Sequence, residues 1–323
     1  MRGVFGAAAV PPVHWAIWVA FIVCVLGFLA LDLGVFHRES HVVKVQEACA
    51  WTVVWFALAM LFAVALGPWR GRQEAVEFVT GYIIEMSLSM DNVFVIALIF
   101  GYFRVPAELQ HRVLFWGIIG ALIMRGLMIG AGTALVAQFH WTLYVFGAFL
   151  VYSGVKMCFS HDEEVHPEKN PIIRLARKFY PIAPDLDGRK FRTVLNVRHA
   201  LTPLALTLMM VETADLVFAL DSIPAIFAVT TKPFIVFTSN VFAILGLRSL
   251  YFVLAGAIAC FHYLKYGLSI VLVFIGAKML ADHWVEIPTA WALVTVAGII
   301  LGSILLSVAK ARRERGAARI SVF

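Results

Sequence analysis

The stretches that decide the fold are GYIIEMSLSMDNVF, residues 81–94, and VETADLVFALDSIP, residues 211–224. Each places carboxylates in the middle of an apolar run that is long enough to cross a bilayer as a helix. These carboxylates belong to Glu85, Asp91, Glu212, Asp215 and Asp221. A carboxylate at the bilayer centre costs about 2.5–3.5 kcal/mol on insertion scales, so five facing lipid would cost more than about 10 kcal/mol. The acids are therefore expected to face the protein interior and to be compensated there.

The composition places the whole chain in a membrane. Of its 323 residues, 62% are hydrophobic and 14% are charged, whereas a soluble domain carries about 25% charged residues. The net charge of +6 comes from basic loops, so it indicates orientation in a membrane rather than nucleic-acid binding. The four cysteines form no CxxC pair, so neither a zinc site nor a disulfide framework is predicted.

The apolar segments predict an all-α, polytopic membrane protein of about nine transmembrane helices in a single domain over residues 1–323. The predicted spans, numbered 1 to 9, are residues 14–36, 48–68, 77–101, 112–136, 141–159, 202–230, 235–259, 263–282 and 287–309. The connecting loops are short except for residues 160–200, which are polar and basic. We expect this loop in the cytoplasm, with one short surface helix near residues 171–179.

Lysine and arginine are distributed unevenly between the two sides of the predicted bundle. Nineteen of the 26 lie on the side of the long loop and the C-terminal tail, and five lie on the other side. The positive-inside rule assigns the richer side to the cytoplasm. The N-terminus is then predicted outside and the C-terminus in the cytoplasm. The remaining two, Arg125 and Arg248, lie inside spans.

Two parts of the chain resemble each other. The matched pairs are Glu85 with Glu212, Phe100 with Phe227 and Pro106 with Pro233, each 127 positions apart, and Phe139 with Phe261 and Gly154 with Gly276, each 122 apart. Spans 3–5, residues 77–159, therefore resemble spans 6–8, residues 202–282. Because each copy has three spans, the second is inverted relative to the first, as in many secondary transporters whose substrate binds at the midplane.

The embedded charge is unbalanced. Arg125 and Arg248 are predicted to be counter-ions that hold the acids in place, but two arginines cannot neutralise five carboxylates. At least three negative charges are left for protons or a bound cation. A purely structural salt-bridge network is the alternative.

Helical spacing does not aim the acids at one point. Asp91 is about 120° away from Glu85 at about 100° per residue, and Asp221 is half a turn from Glu212. Because proline removes a backbone donor, we expect span 6 to break between Asp221 and Pro224. We also expect span 3 to distort in the turn before Asp91, and the freed carbonyls would be further ligands. An ordinary kink at the proline is the alternative.

The candidate ligand atoms are oxygens. Besides the five carboxylates they include the amide of Asn92 and the hydroxyls of Ser89 and Ser222. Oxygen ligands suit Mg, Ca or Mn, and several carboxylates in one place favour a divalent ion. Met86 and Met90 flank the acids, and their thioethers would favour manganese; ordinary packing is the alternative.

Three further polar positions are candidates for the ion path. Asp32, near the cytoplasmic end of span 1, is predicted to guard an ion entrance or simply to reach water. Ser239 and Asn240, near the start of span 7, are predicted to cap that helix or to line the path.

Three sequence motifs of this chain resemble those of the TerC family of integral membrane proteins. The resemblance rests on EMSLSMDNVF from Glu85, ETADLVFALDSIPAIFAVT from Glu212 and TSNVFAILGLR from Thr238. It covers nearly the whole chain and is closest to the Alx branch. It implies a bacterial inner-membrane protein from a family named for tellurium resistance, whose Alx-type members export manganese. It also implies that the metal site consists of Glu85, Asp91, Glu212, Asp215 and Asp221.

The residues and the resemblance together predict a secondary transporter that exports Mn²⁺ across the bacterial inner membrane in exchange for protons. The expected partners are the bilayer, the divalent ion and protons, with no nucleic acid and no prosthetic group. The alternatives are a calcium or general divalent exchanger, and a non-transporting membrane protein that delivers metal to other proteins. No GxxxxGK[ST] motif and no nucleophile–base pair stands out, so neither a primary pump nor an enzyme is predicted.

Overall fold

The computed structural model describes residues 13–31, 45–159, 168, 170–195, 198–255, 263–282, 284, 285 and 287–320, and in these ranges the fold is nearly all-helical. The helices are α1 Trp15–Leu31, α2 Val45–Arg70, α3 Arg72–Tyr102, α4 Ala107–Gln138, α5 Thr142–Phe159, α6 Pro171–Phe179, α7 Pro203–Phe227, α8 Pro233–Ala255, α9 Leu264–Ala281 and α10 Thr289–Ile320. The strands are β1 Arg192–Leu195 and β2 Arg198–Leu201.

Eight of the described helices are long and apolar enough to cross a membrane, namely α2 to α5 and α7 to α10. They correspond to predicted spans 2 to 9, and most of their ends agree with the prediction to within about five residues. Helix α10 is the exception, since it continues to Ile320. Helix α1 has 17 residues, and the rest of predicted span 1, residues 32–36, lies outside the described ranges. The chain is thus an integral, multi-pass membrane protein.

The breaks predicted in spans 3 and 6 are wrong, because α3 and α7 are continuous helices through their acidic segments. Pro224 lies in the last turn of α7, which ends at Phe227. Because proline has no backbone N–H, one helical hydrogen bond is lost, but only near the end of the helix. Beyond it, the N–H of Ala228 still donates to the carbonyl of Pro224 at 3.2 Å. The acids are therefore brought together by the packing of different helices, not by the unwinding of one.

The centre of the bundle is formed by α3, α4, α7 and α8. Helix α3 packs along α8, and α4 packs along α7. Gly81 permits the first contact, since a Cβ at this position would lie 2.9 Å from the Oγ of Ser239 in α8. Helix α2 packs against α3 and α8, and α10 packs against α9. This arrangement removes much of α3 and α7 from contact with lipid.

Helices α5 and α9 approach each other through glycines. A Cβ on Gly276 would lie 2.7 Å from the carbonyl oxygen of Gly147, and a Cβ on Gly154 would lie 2.9 Å from the carbonyl oxygen of Ser269. The hydroxyl of Ser269 also donates to the carbonyl of Gly154. Small residues and polar contacts of this kind hold helices together in lipid, where no hydrophobic effect drives them together.

We expect Gly276→Val to destabilise the protein by about 1–3 kcal/mol, because the new side chain would be forced against the backbone of Gly147. Gly298→Val in α10 is the matched control, since nothing lies within 4 Å of a Cβ at that position. Thermal unfolding of both variants in detergent measures the difference. Equal unfolding temperatures would contradict the close packing of α5 and α9.

The long loop is more structured than predicted. The surface helix expected near residues 171–179 is confirmed as α6, and Asn170 caps it by accepting hydrogen bonds from two backbone N–H groups of its first turn. The antiparallel hairpin of β1 and β2 is a feature that the polar sequence did not predict. Thr202 joins this loop to the membrane helix, because its hydroxyl donates to the carbonyl of Lys190 while its side chain caps α7.

Candidate cation site

Arg125 of α4 lies in the middle of the bundle and is 1% exposed. Its Nε and Nη2 donate to the two carboxylate oxygens of Asp215 at 3.0 and 2.7 Å, and its Nη1 donates to a carboxylate oxygen of Glu85. One guanidinium group thus joins α3, α4 and α7. Buried charges are tolerated when they are paired by directed hydrogen bonds of this kind. The geometry therefore fits the counter-ion role predicted for Arg125.

Besides the hydroxyl of Tyr82, three buried oxygens on α3 have no hydrogen-bond partner among the described residues. They are the Oε2 of Glu85, the Oγ of Ser89 and the Oδ1 of Asn92. The Nδ2 of Asn92 donates to Asp215 at 3.4 Å, so this amide already uses its nitrogen within the site. Buried oxygens without a donor are unfavourable unless water or a cation meets them. This part of α3 therefore offers lone pairs to a small ligand.

A cavity of about 10 Å³ adjoins the Arg125 ion pairs, and this is about the least volume that holds one water molecule. Its wall consists of Glu85, Leu88, Asp91, Asn92, Arg125, Met157, Phe218, Asp221, Ser222 and Leu272. Asp221 also accepts a hydrogen bond from the hydroxyl of Ser153 at 2.8 Å and interacts electrostatically with Lys156. The cavity thus joins acids of α3 and α7 with side chains of α4, α5 and α9.

Most of the predicted site residues meet here, but Glu212 does not. The cavity wall includes Glu85, Asp91, Asn92, Asp221 and Ser222, and Asp215 joins them through Arg125. Glu212 is half-buried and lies against α4, where a Cβ added to Gly120 would collide with its carboxylate. It makes no hydrogen bond or ion pair within the described part of the chain. Because α7 does not break, Glu212 stays about half a turn away from Asp221, as the helical spacing predicts.

No three Asp, Glu, His or Cys side chains in the described ranges are arranged as a group that could hold a metal ion. The guanidinium of Arg125 lies between Glu85 and Asp215 and forms ion pairs with both. Because a cation already bridges these two acids, a metal that used both of them would have to displace the arginine from at least one.

Ser239 and Asn240 do not cap a helix, which corrects one of their two predicted roles. Helix α8 begins at Pro233, so both residues lie inside it, and both are buried. The hydroxyl of Ser239 donates to the carbonyl of Val236 at 3.1 Å. Both amide atoms of Asn240 lack a partner among the residues that the structure describes. Arg248, on the same helix, is buried as well.

Two residues of the cavity region were missed in the sequence. Ser153 and Met157 lie four residues apart on α5, so they share a helix face. A hydroxyl and a thioether at this spacing in an apolar span could have indicated that this face of α5 lines a polar cavity. Met86 and Met90 instead pack against hydrophobic clusters, which favours the packing alternative for them. Asp32 lies outside the described residues.

A second buried ion cluster, here called the α3–α8 ion cluster, joins the start of α3 to the turn before α8. The Nζ of Lys232 lies 3.3 Å from Glu74 and 3.1 Å from Glu77, and both carboxylates are buried. Arg70 pairs with Glu74 at 2.9 Å, and the hydroxyl of Thr230 donates to Glu77 at 2.8 Å. The sequence does not reveal this cluster, because Thr230 and Lys232 are more than 150 positions away from Glu77.

Lys232→Met is expected to destabilise the protein by about 1–3 kcal/mol. Loss of a partner from a fully buried pair costs about 3–5 kcal/mol, but Lys232 is partly exposed and Arg70 still pairs with Glu74. Lys190→Met, at a lysine that is 69% exposed, is the control and should leave the unfolding temperature unchanged. Addition of Glu77→Gln to Lys232→Met should recover part of the loss. A single variant as stable as the wild type would show that the cluster does not stabilise the fold.

Comparison with known proteins places these features in a family. The family described as integral membrane protein TerC matches residues 70–315, a segment that contains both acidic stretches, the cavity and the α3–α8 ion cluster. The chain belongs to the TerC family. The family resemblance predicted from the motifs is thereby confirmed. Asp32 precedes the matched segment.

Several bacterial proteins match the chain over almost their full length. The chain is 53% identical over 296 residues to the uncharacterized membrane protein STKORF319 of Myxococcus xanthus, covering 92% of this chain and 93% of the relative. It is 46% identical over 300 residues to the candidate membrane-bound redox modulator Alx of Escherichia coli K12, covering 90% and 94%. It is 40% identical over 291 residues to an uncharacterized membrane protein of Rickettsia felis, covering 90% and 97%. No solved structure matches the chain significantly.

Proposed function

We propose that this TerC-family protein is a secondary transporter that exports Mn²⁺ across the bacterial inner membrane in exchange for protons. The observation that carries the proposal is the small cavity beside Arg125, whose wall includes the carboxylates of Glu85, Asp91 and Asp221. Acids buried in membrane helices mark ion or proton pathways more often than structural sites. A further acid, Asp215, is held at the same place by the guanidinium group.

The charge around the cavity favours a divalent substrate. Three carboxylates line it and a fourth, that of Asp215, joins them through Arg125, whose single positive charge offsets one of the four while the exposed Lys156 interacts with Asp221. The oxygen ligands that remain suit Mn²⁺, Mg²⁺ or Ca²⁺, and Met157 supplies a softer atom on the wall. Metal binding to carboxylates competes with protons, so release of the metal and uptake of protons are coupled at one site. Glu212 lies apart from the cavity but interacts electrostatically with Asp215, so we assign to it the binding of an additional proton and not of the metal.

The contacts between helices support alternating access by two inverted repeats. The 122-residue offset relates Gly147 to Ser269 and Gly154 to Gly276. In the structure, Gly147 faces Gly276 and Gly154 faces Ser269. When each residue is replaced by its counterpart in the other repeat, the first contact becomes the second. The repeat also relates α3 to α7 and α4 to α8, so the packing of α3 on α8 corresponds to the packing of α7 on α4. This is the pattern expected when two copies are related by a two-fold axis, and it suits rocking of one repeat against the other around the cavity.

The proposed orientation follows from the distribution of lysine and arginine. It puts the N-terminus and the α3–α8 ion cluster outside, and the β1–β2 hairpin and the C-terminus in the cytoplasm. The α3–α8 ion cluster would then close the outer end of the pathway, because it ties the start of α3 to the turn before α8.

Transport by the purified protein in liposomes tests the proposal. Vesicles that enclose a dye quenched by Mn²⁺ should lose fluorescence when Mn²⁺ is added outside, and an imposed pH gradient should change the rate. Absence of Mn²⁺ flux would overturn the exporter proposal. Ca²⁺ flux without Mn²⁺ flux would favour a calcium exchanger. Saturable Mn²⁺ binding without any flux would favour the non-transporting membrane partner that delivers metal.

A further inference from the structure

We propose that α6 and the β1–β2 hairpin form a unit that binds anionic phospholipids of the adjacent leaflet. This surface unit comprises residues 170–195 and 198–202. It presents an apolar stripe on α6 to the acyl region and a basic cavity to the headgroups. The inference concerns the anchoring of the protein in its membrane and is independent of the transported ion.

The depth of α6 follows from its contacts with α7. The Nδ2 of Asn170 lies 3.2 Å from the sulfur of Met210, and Ile173 packs in one cluster with Leu204 and Met210. Helix α7 has 25 residues, which is about 37 Å at about 1.5 Å per residue, whereas the hydrocarbon core is about 30 Å thick. Met210 is about 10 Å from the start of α7. Helix α6 therefore lies near the boundary between headgroups and acyl chains.

The surface of α6 suits that boundary. Ile172, Leu175 and Phe179 form a stripe at positions i, i+3 and i+7, and they are 40%, 57% and 68% exposed. Ile173 and Ala176 are buried against the bundle. The remaining side is basic and carries Arg174, Arg177 and Lys178. A short helix with an apolar face and a basic face lies in the plane of a membrane interface, with its apolar face in the acyl region.

A cavity of about 630 Å³ reaches the C-terminal end of α6, since its wall includes Tyr180, the residue after the helix. Lys190, Arg192 and His199 also line it. Its one acidic side chain, Asp187, is already engaged by Lys190 at 3.4 Å and by the hydroxyl of Thr193. Arg192 has no ion pair within the described residues. A planar guanidinium without a protein carboxylate is suited to a phosphate group. The charge of the cavity thus complements an anionic headgroup.

The stripe is tested in the full-length protein, with its native cysteines replaced, by a nitroxide on Leu175→Cys. The vesicles contain phosphatidylcholine alone or mixed with phosphatidylglycerol. We expect the label to be accessible to oxygen and shielded from a water-soluble nickel chelate, more strongly when phosphatidylglycerol is present. Arg177→Cys, on the basic side, should remain accessible to the nickel chelate. Equal accessibility at the two positions, or spin coupling between copies, would overturn membrane docking.

The cavity is tested by titration of the detergent-solubilised protein with phosphatidylglycerol, phosphatidylcholine or inorganic phosphate, read by native mass spectrometry. Arg192→Gln should weaken phosphatidylglycerol binding about fivefold, which is the effect expected for one basic residue near an anionic surface. Arg72→Gln, at an exposed arginine at the other end of the bundle, should leave binding unchanged. Equal affinity for the two lipids, displacement of the lipid by inorganic phosphate, or an unchanged affinity in Arg192→Gln would overturn the assignment.

Discussion

Arg125→Gln is expected to lower the free energy of unfolding by about 3–5 kcal/mol, because it leaves the carboxylates of Glu85 and Asp215 buried without their cation. Glutamine keeps hydrogen-bonding groups at this position, so the variant tests mainly the charge. Thermal or denaturant unfolding of the purified protein in detergent measures the effect. Arg72→Gln removes an exposed arginine and should change stability by no more than about 0.5 kcal/mol.

A second substitution separates the ion pair from general damage to the core. Asp215→Asn removes one of the two charges that Arg125 compensates, so its addition to Arg125→Gln should restore part of the stability. Residues in one ion-pair network give strongly non-additive effects. Additive losses, or an Arg125→Gln variant as stable as the wild type, would contradict the central role of this guanidinium.

Asp91→Asn and Asp221→Asn are each expected to reduce Mn²⁺ flux about tenfold to hundredfold or more. Both carboxylates line the cavity, and loss even of groups that only support metal ligands costs about 10–100-fold. Asparagine has nearly the same size and shape as aspartate, so we expect the unfolding temperature to stay close to that of the wild type. Flux into proteoliposomes and thermal unfolding of the same preparations measure the two properties separately.

The controls for this prediction use acids outside the cavity. Asp185→Asn changes an exposed residue of the long loop and should not alter flux. Glu212→Gln should keep Mn²⁺ binding but weaken the response to a pH gradient, since Glu212 lies apart from the cavity. Undiminished flux in Asp91→Asn would remove this cavity from the pathway, even if the wild type transports Mn²⁺.

Much of the fold could be read from the sequence because membrane insertion depends on local hydropathy. Eight of the nine predicted spans correspond to helices long and apolar enough to cross a membrane, seven of them with similar ends, and α6 was predicted at its observed position. The hairpin was missed because RTVL and RHAL are short and basic, without the alternation of a half-buried strand. The break at Pro224 was predicted wrongly because proline marks a local loss of one hydrogen bond, and near a helix end that loss is tolerated.

The sequence by itself determined that this protein spans a membrane, that five acids lie within two of its membrane helices and that the chain belongs to the TerC family. These conclusions depend on residue types and their order along the chain. Only the tertiary structure decided that Arg125 bridges Glu85 and Asp215, that Ser153 and Met157 join the cavity region, and that Glu212 stands apart. The Arg125 contacts join residues 40 and 90 positions apart, and their geometry is set by how the helices pack and not by spacing within any one of them.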